Sequence, residues 1–334
     1  MTNTSTARNN VPFLLKPAAK DYLWGGNRLN EDFSKQIDLS PLAETWECST
    51  HPDGLSTVAS GPFTGQALAD VLTAHPEYLG QHGGKNGELP ILIKLIDAKE
   101  DLSVQVHPDD AYAQAHEGGQ CGKAELWYVL DALDSSCLTY GLHHPVDRAV
   151  FRESILNGTV EKYLQRIPVR KNDLFFIQPG TIHAIGAGVL LAEIQQSSNL
   201  TYRLYDYDRT DKNGKKRELH IDKALDVANL HGTDAPRQPL RVLRYRKGSA
   251  SEVLYRCSHF QLERLLVNTE RCREMAELHT DGLSFQVLLC VNGCGTLLTG
   301  GESLNFFRGD CIFIPASAAP FRLHGKAQLL KVRC

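Results

Sequence analysis

The sequence predicts an all-β dominated protein built from two β-barrels with a small helical insertion. Strand-sized apolar runs alternate with turns rich in Gly, Pro, Asn and Asp along the 334 residues, which is typical of barrels and sandwiches and not of alternating β-α units. Helical periodicity is confined to a few segments. Two distant segments, NDLFFIQPG and GDCIFIPA, share one plan: a turn with Asp, an apolar strand and a closing Pro. This similarity indicates two barrels of one type.

The chain is long enough for two domains, and the apolar pattern divides it near residue 240. Between residues 229 and 248 the pattern gives way to prolines and basic residues, which indicates a linker. We therefore expect the first barrel in residues 1–240 and the second in residues 241–334. The first should contain strands at 90–97, 102–107, 125–130, 173–178 and 189–196, and helical segments at about 65–79, 109–122, 145–165 and 221–231.

The composition excludes partners that are held by bulk charge. With 36 basic and 39 acidic residues the formal charge is -3, so we expect neither a nucleic-acid nor a membrane partner, and any anion must be bound by a local site. The first 11 residues lack the apolar core of a secretion signal, which predicts a cytoplasmic protein. Nine scattered cysteines without a CxxC pair are expected to be reduced thiols, and Cys290 and Cys294 lack the second pair that a metal site needs.

An unusual polar face marks the segment SVQVH. Strand alternation places Ser103, Gln105 and His107 on one face and Val104 and Val106 on the other. Residues two apart on a strand lie roughly 7 Å apart, close enough for an amide oxygen and an imidazole to converge on one ion.

Two further segments repeat this polar pattern. In KAELWYVL, Lys123, Glu125 and Trp127 share a face, and in QPGTIHAIGAG the turn at 179–180 leads to His183. Together with Gln105 and His107 these segments supply two imidazoles, a carboxylate and a neutral oxygen without a thiolate, a set that suits catalytic zinc.

Each of these residues has a simpler interpretation when it is taken alone. A single inward histidine is more often a hydrogen-bonded core residue, Glu125 a salt-bridged strand residue and Gln105 a solvated one. Three such anomalies on consecutive strand-like segments favour a metal site. The His-Pro pairs at His51 and His75 lack the alternating polar strand, so we assign them structural or turn roles.

A candidate for substrate chemistry follows in AEIQQSSNLTYRLYDYDR. A hairpin around the polar QQSSN turn would bring Glu193 and Arg203 to the same barrel mouth. The alternative is a surface arginine that pairs with Asp206 or Asp208. The glycines of GGQCGK do not form a phosphate loop, because the length and the following residue do not fit.

At these residues the sequence resembles the type I mannose-6-phosphate isomerases, in their short bacterial form. The resemblance runs over nearly the whole chain and is carried by these motifs: WGGNRL (24–29), ETWECSTHPDG (44–54), LIKLIDAKEDLSVQVHPDD (92–110), GKAELWYVL (122–130), PGTIHAIGAG (179–188) and QQSSNLTYRLYDYDR (195–209). It implies a pair of cupin-like (jelly-roll) β-barrels with helical insertions. The implied activity is the interconversion of mannose 6-phosphate and fructose 6-phosphate through an enediolate.

The resemblance also implies roles for individual residues. The ligands of one zinc ion per chain, all in the first barrel, are expected at Gln105, His107, Glu125 and His183. Active-site roles fall on Lys123, Glu193 and Arg203, with either Glu193 or Lys123 as the group that moves the proton, and a role at the phosphate end of the substrate falls on Ser103 and Lys94. One position departs from the family: several relatives carry Asp four residues before the arginine, where this chain has Asn199.

Two other functions fit parts of the pattern. An Fe(II) dioxygenase of the cupin type can use the same two-histidine and carboxylate set, but it would not need basic residues at the barrel mouth. A non-catalytic sugar-binding protein would retain the barrel without the chemistry. The presence of Lys123, Glu193 and Arg203 favours the isomerase.

Overall fold

In a computed structural model of the chain, residues 10–84, 87–210, 213–234, 236–272 and 274–334 are described. Strands predominate within these ranges, as the sequence predicted. The strands are β1 (Phe13–Lys16), β2 (Ala18–Lys20), β3 (Glu44–Cys48), β4 (Thr57–Val58), β5 (Ile91–Asp97), β6 (Val104–Val106), β7 (Glu125–Ala132), β8 (Cys137–Leu142), β9 (Leu164–Pro168), β10 (Leu174–Ile177), β11 (His183–Ile185), β12 (Val189–Gln196), β13 (Tyr202–Tyr205), β14 (Arg244–Arg246), β15 (Ser249–Arg256), β16 (Gln261–Asn268), β17 (Ala276–Leu278), β18 (Gln286–Thr299), β19 (Glu302–Phe307), β20 (Cys311–Ile314) and β21 (Phe321–Arg333).

The helices are short and mostly lie in the segments where the sequence predicted them. They are α1 (Arg28–Glu31), α2 (Leu68–Ala74), α3 (Asp110–His116), α4 (Arg148–Leu156) and α5 (Ile221–Val227), with 3₁₀ turns at Pro76–Leu79 and Val160–Tyr163. The side chain of Asp147 accepts hydrogen bonds from the first backbone amides of α4, and Asp109 caps α3 in the same way. None of the helices in the described ranges is long and apolar enough to cross a lipid bilayer.

The described strands pair in three antiparallel sheets. A ten-stranded sheet has the order β14-β15-β16-β21-β18-β20-β1-β4, with β17 paired to β21 and β19 to β18. A six-stranded sheet has the order β10-β7-β12-β5-β3-β2, and a five-stranded sheet has the order β13-β6-β11-β8-β9. The strands β1 and β4, from the start of the chain, therefore extend the sheet that the C-terminal third forms.

The six-stranded sheet is buried on both faces. Leu95, Leu126 and Ile194 pack with residues of the ten-stranded sheet on one face, whereas Trp127 and Leu191 belong to a second cluster that faces the five-stranded sheet. All seven residues of β5 and all eight of β12 are consequently buried. Such strands read as continuous apolar runs, so a charged residue within them must face a polar site or a partner.

The five-stranded sheet separates α4 and α5 from the interior. Val104 and Val106 pack with residues of α4 and α5 in one apolar cluster, which leaves Gln105 on the opposite face, towards the six-stranded sheet. Gln105 lies in register with His183 on β11 and with Arg203 on β13. Because cross-strand partners share a face, three of the residues singled out in the sequence point to the same side.

Because the six-stranded sheet is buried on both faces, a Leu→Ala substitution there should lower the free energy of unfolding much more than the same substitution at an exposed position. Leu95→Ala creates a cavity between the sheets and should lower the free energy of unfolding by about 2–5 kcal/mol. Leu156→Ala, at the exposed end of α4, removes the same atoms and should change it by no more than about 0.5 kcal/mol. Urea unfolding followed by tryptophan fluorescence measures both, and equal losses would contradict the layered arrangement.

Candidate active site and metal centre

Three buried side chains that can ligate a metal meet between the six-stranded and five-stranded sheets. His107 directly follows β6 and His183 begins β11, whereas Glu125 begins β7 in the facing sheet. Nε2 of His107 lies 3.2 Å from Oε1 of Glu125, and Nε2 of His183 lies 3.6 Å from Oε2. All three ligand atoms lie within 4.8 Å of one another. The fold thus brings these predicted ligands into one group.

The hydrogen bonding of His183 leaves a lone pair for a metal. Its Nδ1 lies 2.8 Å from the backbone oxygen of Thr181, which can only accept, so Nδ1 carries the hydrogen and Nε2 is the free acceptor. This Nε2 is buried without a hydrogen-bond partner among the described residues. Burial lowers the pKa of His183, and burial together with the charge of Lys123 lowers the pKa of His107 to about 3. Both rings are therefore neutral, which is the form that binds metal.

The carboxylate of Glu125 is ionised in a wholly buried position. Burial acts to raise its pKa, but Lys123 and His107 outweigh this effect and hold the pKa well below its usual range. Nζ of Lys123 lies 2.6 Å from Oε1, yet neither oxygen has a hydrogen bond of good geometry among the described residues. An anionic carboxylate and two neutral imidazoles with unsatisfied acceptor atoms fit a divalent cation.

Gln105, the fourth predicted ligand, borders this group from the five-stranded sheet. Its register opposite His183 places it on the face that carries the cluster, and its side chain lines the same cavity as Lys123 and Glu125. Lys123 Nζ is also 3.4 Å from Nε2 of His107, so its ammonium group touches two members of the metal group.

A row of charged and aromatic residues crosses the six-stranded sheet beside the metal group. Glu193 lies in register between Trp127 and Lys94, and Lys94 is in turn opposite Trp46. Trp127 Nε1 donates to Glu193 Oε2 at 2.8 Å, and Lys94 Nζ lies 3.3 Å from Glu193 Oε1 and 3.7 Å from Oε2 of Glu44. Burial, followed by the charge of Glu125, raises the pKa of Glu193. Burial alone would lower the pKa of Lys94, but Glu44 and Glu193 raise it.

Arg203 projects from the five-stranded sheet and is held by neutral oxygens. Its Nε donates to Ser103 Oγ at 3.1 Å, and its Nη1 donates to the backbone oxygen of Glu218 at 3.0 Å. The alternative surface pairing is not formed: Asp206 binds Arg209 and Arg217, and Asp208 binds Lys216. The guanidinium group of Arg203 therefore keeps its charge for the cavity.

These side chains surround one cavity of about 340 Å³ between the two sheets, a size suited to a small polar metabolite. Its lining includes Lys94, Ser103, Gln105, Lys123, Glu125, Glu193 and Arg203. The two histidines lie behind Glu125, fully buried. All the residues expected to have a site role are thus at the cavity or in the metal group that borders it.

The predicted hairpin that was to join Glu193 and Arg203 is wrong. β12 and β13 belong to different sheets, and the QQSSN segment carries the chain from one sheet to the other. The two residues reach the same cavity from facing walls. Local sequence cannot distinguish a turn within a sheet from a crossing between sheets, because the pairing partners β5, β6 and β7 lie far away in the chain.

Several cavity residues had no predicted role. They are Tyr22, Trp24, Glu44, Ile96, Leu102, Ile185, Thr201, Arg217 and His220. Glu44 could have been found, because it opens the strand ETWEC, in which every residue is buried, and a charged residue in such a run needs a partner. Arg217 and His220 follow in a segment without regular periodicity, so the sequence does not indicate which way their side chains face.

Asn199, His51 and His75, to which the sequence analysis gave no catalytic or metal-binding role, have other contacts. Nδ2 of Asn199 donates to Asp53 Oδ2 at 2.8 Å at the cavity wall. Nδ1 of His51 accepts from the amide of Asp53, and the ring of His75 stacks on Tyr78 at 4.8 Å. Both histidines thus have local structural contacts. The nine cysteines are free thiols.

Comparison with known proteins gives concordant matches. Residues 13–131 match the family model of the phosphomannose isomerase type I catalytic domain, and residues 267–334 match that of the mannose-6-phosphate isomerase cupin domain. The chain is 35% identical to the probable mannose-6-phosphate isomerase GmuF of Bacillus subtilis, over 96% of this chain and 98% of the relative. It is 33% identical to the mannose-6-phosphate isomerase of Streptococcus mutans, over 96% and 97%.

A solved structure agrees with these sequence matches. The crystal structure of the mannose 6-phosphate isomerase from Bacillus subtilis superimposes with a TM-score of 0.88 at 34% identity, covering 96% of this chain and 99% of that one. Sequence, domain models and fold agree over nearly the full length, and the chain therefore belongs to the type I mannose-6-phosphate isomerase family, a family of aldose–ketose isomerases.

Proposed function

We propose that the chain is a zinc-dependent mannose-6-phosphate isomerase that interconverts mannose 6-phosphate and fructose 6-phosphate. The observation that carries this proposal is the cavity itself. It has the buried group of His107, Glu125 and His183 at one end, the acid–base candidates Lys123 and Glu193 beside it, and cationic side chains opposite. A dioxygenase would require the metal group but not this combination of neighbours.

His107, Glu125 and His183, with Gln105, would hold one zinc ion per chain. When bound, the ion supplies a fixed positive charge that stabilises the negative charge developing on the sugar oxygens. Nitrogen and oxygen donors without a thiolate favour zinc in a catalytic role over a closed structural site.

Proton transfer between the two sugar carbons falls to Glu193 or Lys123. The proton leaves C2 of the aldose, an enediolate forms, the hydroxyl proton passes from O2 to O1, and a proton is returned to C1 as the carbonyl forms at C2. Glu193 is a stronger base than Glu125, because the pKa of Glu193 is raised and that of Glu125 is lowered, while Lys123 faces the cavity from the edge of the metal group. Arg203 would neutralise the enediolate or the substrate from the opposite wall, with Ser103 and Lys94 as further substrate contacts.

We extend the proposal to the architecture. The six-stranded and five-stranded sheets would form one jelly-roll barrel around the site, and the ten-stranded sheet, folded over its own apolar cluster, would form the second. The unit boundary would lie near residue 240, with β1 and β4 crossing into the second barrel. The metal site would be confined to the first unit, 1–240, since the runs at 288–298 and 306–316 in the unit 241–334 offer no His/Glu set. Nine free thiols suit a reducing compartment, so the proposed location is the cytoplasm.

The proposed activity is tested with the purified chain and mannose 6-phosphate, by coupling fructose 6-phosphate formation to a reporter enzyme. We expect turnover that a chelator abolishes and that stoichiometric zinc restores. Oxygen uptake without isomerisation would support a dioxygenase instead, and binding of the sugar phosphate without turnover would support a non-catalytic protein.

Glu125→Gln separates the metal site from the general stability of the fold. Because the substitution keeps the size of the side chain and removes its charge, zinc should fall well below one ion per chain and turnover should fall at least about 100-fold. Glu252→Gln is the matched control, since Glu252 is also buried and paired, with Arg264 Nη2 at 2.5 Å, but lies in the ten-stranded sheet. Elemental analysis should find one zinc ion in the control, and an unchanged zinc content in Glu125→Gln would remove this residue from the site.

Arg203→Lys keeps the positive charge and loses the planar pair of donors. If Arg203 acts at the enediolate, kcat should fall at least about 10-fold, which corresponds to about 1.4 kcal/mol of transition-state stabilisation. Zinc content and the thermal midpoint should remain at their wild-type values, because Arg203 is neither a ligand nor a core residue. A rise in KM at constant kcat would instead assign it to uniform substrate binding.

A further inference from the structure

A small polar cavity lies on the ten-stranded sheet, apart from the active site. It has a volume of about 210 Å³ and is formed by residues of β14, β15, β16, β17 and β21. None of its lining residues lines the cavity between the six-stranded and five-stranded sheets. Sites for drug-sized ligands have volumes of roughly 300–1,000 Å³, so this cavity suits a smaller metabolite.

Two identical pairs of polar side chains form one wall of this cavity. In the pairing of β14 with β15, Arg244 lies opposite Ser251 and Arg246 lies opposite Ser249. All four residues line the cavity. Cross-strand partners share a face of the sheet, and residues two apart on one strand share it at a separation of roughly 7 Å. The wall therefore presents the same combination of guanidinium and hydroxyl groups twice, side by side.

These polar pairs interrupt the apolar packing that the same face shows further into the sheet. Ser251 lies in register with Leu265 on β16, and Leu265 lies in register with Leu329 on β21. Both leucines belong to the apolar cluster of the ten-stranded sheet. Arginine and serine at the end of such a row leave a polar space at the border of the apolar cluster, and water or a polar ligand must fill it.

Two of the three carboxylates that line the cavity are matched by cations. Lys331 Nζ lies 2.7 Å from Glu263 Oε2 within the lining, and Glu252 pairs with Arg264, which does not line the cavity. The third carboxylate, Glu277, has no cation within ion-pair distance in the described part of the chain. One negative charge of the lining is therefore unmatched.

The two arginines outweigh this remaining carboxylate. Both Arg244 and Arg246 are exposed, and neither side chain forms a hydrogen bond or an ion pair with a described residue. The cavity thus keeps a positive charge, and its donors are free for a ligand. A guanidinium group binds a carboxylate through two parallel hydrogen bonds, and a serine hydroxyl adds a further donor. An anion with two carboxylate groups matches the two pairs.

We propose that this cavity binds a small dicarboxylate, with one carboxylate held by Arg244 and Ser251 and the other by Arg246 and Ser249. A short carbon chain between the carboxylates spans the roughly 7 Å between the two pairs. The site is separate from the active site and uses none of its residues. The inference therefore holds whether or not the chain is an isomerase.

Calorimetric titration of the full chain with succinate tests the site. We expect one succinate per chain with a Kd below about 1 mM, and acetate at the same ionic strength should bind at least about 10-fold more weakly because it satisfies only one pair. In Arg244→Gln and in Arg246→Gln the Kd for succinate should rise about 10- to 100-fold, the usual effect of losing a hydrogen bond to a charged group. Arg256→Gln is the matched control, since Arg256 is exposed on β15 but does not line the cavity, and its Kd should stay within about 2-fold of the wild type.

Several results would overturn the assignment. They are a wild-type chain that does not bind succinate, equal affinities for acetate and succinate, and equal effects of the three substitutions. Arg203→Gln separates the two cavities: it should bind succinate with the wild-type Kd, and a loss of binding would place the dicarboxylate in the active-site cavity instead.

The alternative role of the two arginines is to keep β14, an edge strand, from pairing with a second copy of the chain. In that case Arg244→Gln and Arg246→Gln would associate in size-exclusion chromatography while their succinate binding stayed at the wild-type level, which also overturns the proposal. We expect both variants instead to elute like the wild type and to keep its thermal midpoint, because the replaced side chains have no partner among the described residues.

Discussion

The ionised carboxylate of Glu125, enclosed between two sheets, is the constraint on which the rest of the site depends. An unpaired carboxylate in such a place would cost several kcal/mol, so its surroundings must supply positive charge. Lys123 supplies it from the same strand segment, and His107 and His183 supply nitrogen atoms from the facing sheet. The imidazoles are themselves neutral, so the group still has acceptor atoms to satisfy. A divalent cation would complete the group, because buried acceptor atoms without partners cost free energy.

Strand register decides which residues share this interior. Glu193 reaches the cavity because Trp127 and Lys94 are its neighbours across β7 and β5, and the next residue, Ile194, faces the ten-stranded sheet. A slip of one residue would exchange these faces, placing charges in the apolar layer and Ile194 at the site. The apolar contacts between the six-stranded and ten-stranded sheets therefore position active-site groups without touching them. The ten-stranded sheet therefore contributes to the site even though its own strands lie outside it.

The limits of sequence reasoning follow from the same physics. Alternation along a single strand identified His107 and Glu125, since a polar face on an otherwise apolar run is visible over five residues. The expected mostly β architecture and short helices were confirmed for the same reason, because each is a local pattern. The hairpin between Glu193 and Arg203 failed because sheet membership depends on partners far away in the chain. Arg217 was missed because its position depends on an ion pair with Asp206 and not on any periodicity.

Local charges in the cavity explain how a chain with a formal charge of -3 could accept the anionic substrate of the proposed function. Salt screens the attraction of net charge beyond about 10 Å, whereas Arg203 and Arg217 line the cavity itself. Beside the metal group, the ammonium groups of Lys94 and Lys123 stand against three carboxylates, so the bound cation of the proposed function would turn a negative balance into a positive one. On the facing wall, Asp206 fixes Arg217 without cancelling the charge of Arg203. The charges that a substrate meets are therefore set by these few buried groups and not by the net charge of the chain.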